Sequence, residues 1–390
     1  MTQLGFELAA DLLRARPSQP VHLEAALPIE ALPTPALLLD ADALERNLQR
    51  MAEFLRGRGK GFRPHAKTHK CPLIAARQLE MGAAGICAAK VSEAVVLVNA
   101  GVGKVLLTSA IMTPAKADIL AGLSLDAERL DVVVDSDEGL ALLQRAVSTD
   151  SDLGVLVDVD VAMGRTGTRD LEQIKRLADA VTATPGLCFR GVQHYAGHLM
   201  HTAPYEKRRD RSLKLWETVA GMVDALAASG FDSEVVTGGG TGTYDIDSEV
   251  PCITDLQVGS YIFMDQEYRL IGSREGEHFD DFEVALQVAA TAISQPVAGV
   301  ITVDGGYKAF ASDSVNPVPL DLADSEYRFA GDEHGVLLLG SGSQEPVLGT
   351  VQRFITPHCD PTVNLYDYYW LCSNGLATDM WPITARGCSW

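Results

Sequence analysis

The sequence predicts an α/β protein, a (β/α)8 TIM-type barrel joined to a second, mostly β domain. Three observations predict it. Eight short apolar runs lie between about Phe62 and Met264 and alternate with helical patterns. Strand and helix in alternation select a parallel sheet, and eight repeats in about 200 residues select a closed barrel over a doubly wound open sheet. From Phe282 onward the texture changes to strand-like runs with Gly and Pro turns and little helix.

The elements follow in order. The chain opens with a short amphipathic piece and a proline-spaced segment (Pro17, Pro20, Pro28, Pro33, Pro35). "TPALLLDADALERNLQRMAEFLRGRG" reads as a strand, an Asp at a helix start and a helix ended by glycine. The eight barrel runs are "FRPHAK", "AGICAA", "KVLLTS", "LDVVVD", "LGVLVDVDVA", "CFRGVQHYA", "SEVVTGG" and "LQVGSYIFM". Helical patterns such as "PLIAARQLEMG", "VSEAVVLVNAG" and "YEKRRDRSLKLWETVAGMVDALAASG" fill the intervals. Residues 30–275 are assigned to the barrel. Residues 1–29 and 276–390 are assigned to the β domain, built on "FEVALQVAATAISQP", "AGVITVDGG", "HGVLLLGSG" and "VLGTVQRFITPHCDP".

Composition excludes several classes. The 390 residues carry 52 acids against 32 bases, a formal net charge of −20. That balance argues against nucleic acid or an anionic membrane as partner. No apolar run reaches membrane-spanning length. The N-terminus lacks a basic start followed by an apolar block, so no signal or transit peptide is expected. Seven scattered cysteines without CxxC pairs suit free thiols in the cytoplasm.

Candidate chemistry starts at "RPHAKTHK", Arg63 to Lys70. In a strand, His65, Lys67 and His69 share one face and Lys70 points away, towards the start of the next helix. A lysine projecting from the first barrel strand into the interior is desolvated, which lowers its pKa and makes it a better amine nucleophile. Lys67 is therefore the candidate Schiff-base lysine. Taken alone, the segment also suits a solvated basic loop. "VVTGGGTGTY" follows run seven, and "QVGSYIFMD" is run eight. Loops after strands seven and eight commonly bind phosphate in barrels. There Gly238, Gly239 and Gly240 let backbone N–H groups converge, Thr237 and Thr241 add hydroxyls, and Gly259, Ser260 and Tyr261 end the neighbouring run. An amine and a phosphate cup across one barrel mouth suggest pyridoxal phosphate.

Other residues join these. Arg165, in the Gly-flanked turn of "VDVDVAMGRTG", can reach an anion from the barrel mouth. Tyr195, in "VQHYAGHLMH", can pack against a cofactor ring, and His201, in the loop beyond, can serve as general base. In "TPHCDPTVNLYD", His358 and Asp360 share a face of an extended segment while Cys359 faces away. Imidazole plus carboxylate suits a divalent metal with open positions, favouring Mn2+ or Mg2+, with Ca2+ or Zn2+ as alternatives.

Together, "RPHAKTHK", "VSEA", "GRTG", "TGGGTGTY", "QVGSYIFMD", "DEHG" and "HCDP" resemble the D-threonine aldolase family. That family belongs to the alanine racemase-like, fold type III pyridoxal phosphate enzymes, with D-3-hydroxyaspartate aldolase and D-serine dehydratase as relatives. The resemblance implies a homodimer and pyridoxal phosphate on Lys67. It puts the phosphate against Gly239, Gly240 and Thr241, with Arg165 and Tyr195 lining the cofactor. It also implies a divalent metal on His358 and Asp360, with His201 as the base beside it. The expected reaction is cleavage of a D-β-hydroxy-α-amino acid, of the D-threonine, D-phenylserine or D-3-hydroxyaspartate type, to glycine and an aldehyde. His194 departs from the family's usual alanine and is given no role. The dehydratase relatives typically carry His-x-Cys at the metal motif; here the cysteine comes one place early. A metal-dependent dehydratase of D-serine or D-3-hydroxyaspartate is the alternative enzyme. A non-enzymatic pyridoxal phosphate carrier is a further alternative, and the extra domain with its His-Cys-Asp motif counts against it.

Overall fold

The computed structural model describes residues 19–312 and 315–390. The amphipathic piece expected at the extreme N-terminus lies outside them.

All eight expected barrel runs form strands: β3 (Gly61–Phe62), β4 (Ile86–Ala88), β5 (Lys104–Leu107), β6 (Arg129–Val134), β7 (Leu153–Asp158), β8 (Leu187–His194), β9 (Val235–Gly238) and β10 (Asp255–Leu256). Their order around the sheet is β3-β10-β9-β8-β7-β6-β5-β4, with every pairing parallel. The ring closes between β3 and β4 through Ala84 N–H to Phe62 O, Cys87 N–H to Pro64 O and Ala66 N–H to Cys87 O, each 2.8 Å. Pro64 has no N–H to give, yet the ladder to β10 continues past it, because Arg63 and His65 supply the donors to Leu256 O and Val258 O. Helices Ala41–Gly57, Pro72–Glu80, Val91–Asn99, Pro114–Asp126, Asp137–Ala146, Leu171–Thr182 and Tyr205–Ala227 separate the strands. Each buries an apolar face, such as Leu44, Leu48, Met51 and Leu55 of the first.

Alternate residues of the strands point inward. Cys87, Leu106, Val133, Leu156 and Val235 pack there as a separate apolar cluster. Asp131 and Asp255, in phase with that interior, flank the buried Arg63 guanidinium at 4.0 and 3.4 Å. This charged cluster lies at the N-terminal end of the strands.

The second domain is a β-sheet of ten strands. β1 (Val21–Pro28), β18 (Leu376–Pro382), β17 (Tyr368–Ser373), β2 (Ala36–Asp40), β11 (Leu286–Val297), β12 (Val300–Val303), β15 (Gly335–Leu339) and β14 (Ser325–Phe329) run across it in that order. β16 (Val351–Ile355) also pairs with β11, and β13 (Val318–Pro319) pairs with β16. β2 lies antiparallel to β11 and parallel to β17. The sheet therefore takes in residues 36–40, beyond the division drawn at residue 30. The physical reason is its sequence: "ALLLD" is a continuous apolar run, buried on both faces in mid-sheet. The chain passes to the barrel layer at Asp40, whose carboxylate accepts the Ala43 N–H and starts the first helix. The seven cysteines are unpaired thiols. Among the described residues no helix is long and apolar enough to cross a membrane.

Arg63→Ala should leave Asp255 and Asp131 with less charge compensation inside the barrel. Breaking a buried pair costs about 3–5 kcal/mol, so its thermal midpoint should fall by several degrees. Arg328→Ala, which removes an exposed Glu326 pair, should leave the midpoint where it is. Equal midpoints for the two variants would refute the assignment of Arg63 as a barrel-stabilising charge.

Candidate active site

One cavity opens at the C-terminal ends of the barrel strands, where barrels build their sites. Eleven of the residues singled out above line it: His65, Lys67, Arg165, Tyr195, His201, Gly240, Thr241, Gly259, Ser260, His358 and Asp360.

Lys67 reaches the cavity by a different route from the one the strand phase suggests. The ladder ends at His65. Residues 66–69 then form a turn, closed by Thr68 N–H to His65 O (3.3 Å) and Lys70 N–H to Ala66 O (2.7 Å). Side-chain alternation does not carry through a turn, so His69 leaves the site. It is fully buried, and its Nδ1 accepts the Cys71 N–H at 3.1 Å. Lys70 sits at φ 51°, and its ammonium pairs with Glu93. It is thus tied to the helix Val91–Asn99, and the next helix is entered from Cys71 instead.

The Lys67 ammonium lies 3.5 Å from Asp360 Oδ2, in a cavity open enough to leave the side chain 41% exposed. The expected lowering of its pKa does not occur. Burial pulls the value down, but the Asp360 carboxylate and Tyr195 outweigh it, and the net shift is upward. Conversely, burial works to raise Asp360, yet Lys67 and His358 hold it below the usual carboxylate range.

His358 and Asp360 share the cavity, although not on an extended strand. His358 is extended and caps the short helix Cys359–Val363, so Asp360 sits in its first turn. Cys359 is buried, its N–H bound to Asp265 Oδ2 at 2.9 Å. Asp265 itself is pushed up to about 6 by burial. Glu267 Oε2 lies 3.6 Å from His358 Nδ1. Among the described residues no cluster of three or more His, Cys, Asp or Glu side chains is arranged to hold a metal. A cation on His358 and Asp360 would have two protein donors, leaving positions for water or substrate. That donor set, one imidazole and one carboxylate beside an open cavity, fits a divalent ion in a reactive role.

The His201 ring packs on Tyr268 at 4.6 Å and stands 6.3 Å from the His358 ring. Arg165 lies over the Tyr195 ring at 5.2 Å. Two glycines line the cavity where side chains of neighbouring segments come close. A Cβ on Gly259 would stand 2.6 Å from Thr68 Oγ1, and one on Gly240 would stand 2.7 Å from Met200 Sδ. This leaves bare backbone facing the cavity beside the Thr241 and Ser260 side chains, a surface that fits a phosphate.

Three expected cofactor contacts lie elsewhere. The Thr237 hydroxyl donates to Asp255 Oδ1 at 2.6 Å inside the barrel, one strand layer below the cavity. Gly239, at φ 66°, turns its backbone against Asp247. Tyr261 is fully buried, with its hydroxyl accepting from Gln78 Nε2 and its N–H bound to Thr241 Oγ1. These residues shape the loops without lining the cavity. His194 is buried, its Nδ1–H donating to Val159 O at 2.9 Å with its ring edge-on to Trp216.

His65 lines the cavity too, on the face that strand phase gave it, whereas Thr108, Gln193, Gln257 and Tyr268 were missed. His65 Nδ1 accepts the Lys67 N–H, so Nε2 carries the hydrogen and donates to Thr108 Oγ1 at 3.1 Å. Burial and the Lys67 ammonium hold this imidazole neutral. Gln257 donates to Gln193 Oε1 (3.0 Å), and Gln193 donates to Asp158 Oδ1 (3.0 Å) and to Thr108 O (3.1 Å). Tyr268, neutral because burial raises its pKa, lines the side by His201. Sequence phase could have found two of these: Gln193 and Gln257 stand two residues before Tyr195 and Gly259.

Known proteins match this architecture. The alanine racemase N-terminal domain matches residues 39–267, and a serine dehydratase domain matches residues 285–372. The D-threonine aldolase of Arthrobacter sp. is 37% identical over 363 residues, covering 93% of this chain and 95% of that one. The 3-hydroxy-D-aspartate aldolase of Paracoccus denitrificans (strain Pd 1222) is 36% identical over 358 residues, covering 91% and 92%. The crystal structure of D-threonine aldolase from Filomicrobium marinum superposes with a TM-score of 0.90 at 37% identity, covering 95% of this chain and all of that one. Barrel and β domain thus agree with these relatives over nearly the whole length, and the chain belongs to the D-threonine aldolase family of the alanine racemase fold.

Proposed function

We propose that this chain is an aldehyde-lyase that cleaves D-β-hydroxy-α-amino acids between Cα and Cβ, giving glycine and an aldehyde. The observation that carries this reading is the meeting of Lys67 with His358 and Asp360 in one cavity, Lys67 Nζ lying 3.5 Å from Asp360 Oδ2. Pyridoxal phosphate carried by Lys67 supplies an electron sink at Cα, and a divalent cation, Mn2+ or Mg2+ by preference, supplies a Lewis acid at the β-hydroxyl. An electron sink alone also serves racemisation or elimination. Hard donors beside the β-substituent select the C–C bond.

The protein's own groups have distinct tasks. Gly240, Thr241, Gly259 and Ser260 hold the phosphate. Arg165 and Tyr195 line the cofactor. His358 and Asp360 hold the cation. His201 takes the β-hydroxyl proton, so that the Cβ–O bond becomes the aldehyde carbonyl as the Cα–Cβ bond breaks. Lys67 manages the proton at Cα that completes glycine. Cys359 bears on the choice between aldol cleavage and dehydration: burial and the Asp265 carboxylate push its thiol well above the usual range and keep it protonated, which disfavours a His-Cys metal pair of the dehydratase kind. We further propose a cytoplasmic homodimer.

Three outcomes test the reading. A panel of D-threonine, D-phenylserine and D-3-hydroxyaspartate should yield glycine and an aldehyde. A chelator should stop turnover while the cofactor absorbance persists, and Mn2+ should restore it; ammonia and a keto acid as products would establish a dehydratase instead.

Borohydride reduction of the loaded enzyme should fix the pyridoxyl group on Lys67. Peptide mass mapping that finds it on Lys70 would sink the assignment, because Lys70 is committed to Glu93.

His201→Ala should bind pyridoxal phosphate normally but cleave at a rate lower by about a hundredfold or more, the usual scale for a lost general base. Near-normal cleavage at matched metal and cofactor occupancy would remove His201 from the mechanism.

A further inference from the structure

We infer that Arg208 is a positioning residue for the reaction centre, tying the loop that carries His201 to the loop that follows Tyr268. The inference rests on the reading of His201 as the base.

Arg208 lies in the first turn of the helix Tyr205–Ala227 and is fully buried. Its guanidinium meets carbonyls from two separate segments. Nη1 donates to Thr202 O at 2.7 Å and to Ile271 O at 2.8 Å, and Nη2 donates to Gly272 O at 2.7 Å. Thr202 is the residue after His201. Ile271 and Gly272 follow the short helix Gln266–Arg269 that carries Tyr268. The two segments meet in the cavity as the His201–Tyr268 ring contact at 4.6 Å. One side chain therefore fixes both halves of that contact from behind.

Packing alone does not account for this choice of residue. Burying a cation is costly, and an apolar side chain of similar volume would stabilise the fold as well or better. What an apolar side chain cannot do is hold three carbonyls of two loops in a fixed plane, which is a property of the guanidinium fork. Burial lowers the Arg208 pKa, partly offset by Asp245 and Tyr205. A second tie holds the same loop. Arg208 lies 5.3 Å over the Tyr205 ring, whose hydroxyl donates to Asp245 Oδ2 (2.8 Å) and accepts from Arg274 Nε (3.1 Å). The far end of the helix Gln266–Arg269 is anchored to the metal-motif segment by Gln266 N–H to Thr356 O and Glu267 N–H to Pro357 O. Tyr268 thus stands on an element fixed at both ends, and His201 is registered against it through Arg208.

The test uses the enzyme loaded with pyridoxal phosphate and Mn2+. Arg208→Lys, Arg208→Ala, His201→Gln and the double variant His201→Gln/Arg208→Lys are compared by kcat, KM and cofactor affinity from absorbance titration. Arg208→Lys should lower kcat by about tenfold or more, the scale of a small misplacement in a reacting pair, with KM and cofactor affinity unchanged. Added guanidinium ion should recover part of the kcat lost in Arg208→Ala. In the His201→Gln background, Arg208→Lys should cost nothing further. A wild-type kcat in Arg208→Lys overturns the inference and leaves the His201 reading intact. So does an equal loss in both backgrounds, or a loss of cofactor affinity parallel to kcat without guanidinium rescue. Failure of both Arg208 variants to fold overturns it as well, since the role is then architectural. A wild-type kcat in His201→Gln overturns the base reading and the inference together.

Discussion

An ammonium from the barrel and a carboxylate from the β domain face each other at 3.5 Å across the cavity, and the charge state of the whole site depends on that pair. Each partner shifts the other in the expected sense: Lys67 is raised and Asp360 lowered, both against the pull of burial. A pair of this kind is weak as a stabiliser, because desolvation offsets most of its attraction. Its meaning is chemical. Any event that takes up the Lys67 nitrogen and removes its charge leaves the Asp360 carboxylate in need of another cation. A divalent ion held by Asp360 and His358 would answer that need, and cofactor and metal would then complement one another electrostatically without sharing a ligand.

The pair requires that two domains hold one register, and polar contacts across their seam provide it. Asp265, which follows the last barrel strand, accepts the N–H groups of both Tyr268 and Cys359 and so joins the cavity's tyrosine to the His358–Asp360 segment. Tyr369 of β17 donates to His69 O at 2.7 Å, and the Ala385 N–H bonds Lys70 O at 3.0 Å. Those two carbonyls belong to the turn that presents Lys67. The β domain therefore grips the lysine turn on one side and supplies Asp360 on the other, which fixes their separation more closely than either domain could alone.

Most of the architecture was legible in the sequence, for a physical reason. Barrel strands are buried on both faces and read as short apolar runs, and all eight stood out. The His358–Asp360 and His65–Lys67 segments, which meet in the cavity, stood out because unlike residue types cluster there in an acidic chain. What stayed hidden was local backbone geometry. The segment after His65 looks like a strand until the turn hydrogen bonds are seen, so the side of Lys67 came out correctly by an alternation that does not operate. Thr237 and Tyr261 look like cofactor ligands beside the glycines, yet one bonds Asp255 within the barrel and the other Gln78 behind the loop. Nothing in a linear reading separates a hydroxyl that faces the cavity from one that faces the next strand. β2 escaped in a similar way, since an apolar run before the first helix fits either sheet. Long-range pairing with β11 and β17 decides which one.

The neutral groups of the cavity matter as much as the charged ones. His65 is kept neutral by burial and by Lys67, and its tautomer is fixed between the Lys67 N–H and Thr108. Tyr268 is held neutral by burial. The floor is built from the amides of Gln193 and Gln257, backed by Asp158. Such a floor orients a bound ring by hydrogen bonds while adding no mobile charge beneath it. Lys67, His201, His358 and Asp360 line the same cavity, so under the proposed roles the Cα proton would fall to Lys67 and the β-hydroxyl proton to His201. With a cation on His358 and Asp360, the β-hydroxyl would become the more acidic position, which would favour breaking the Cα–Cβ bond over racemising the centre.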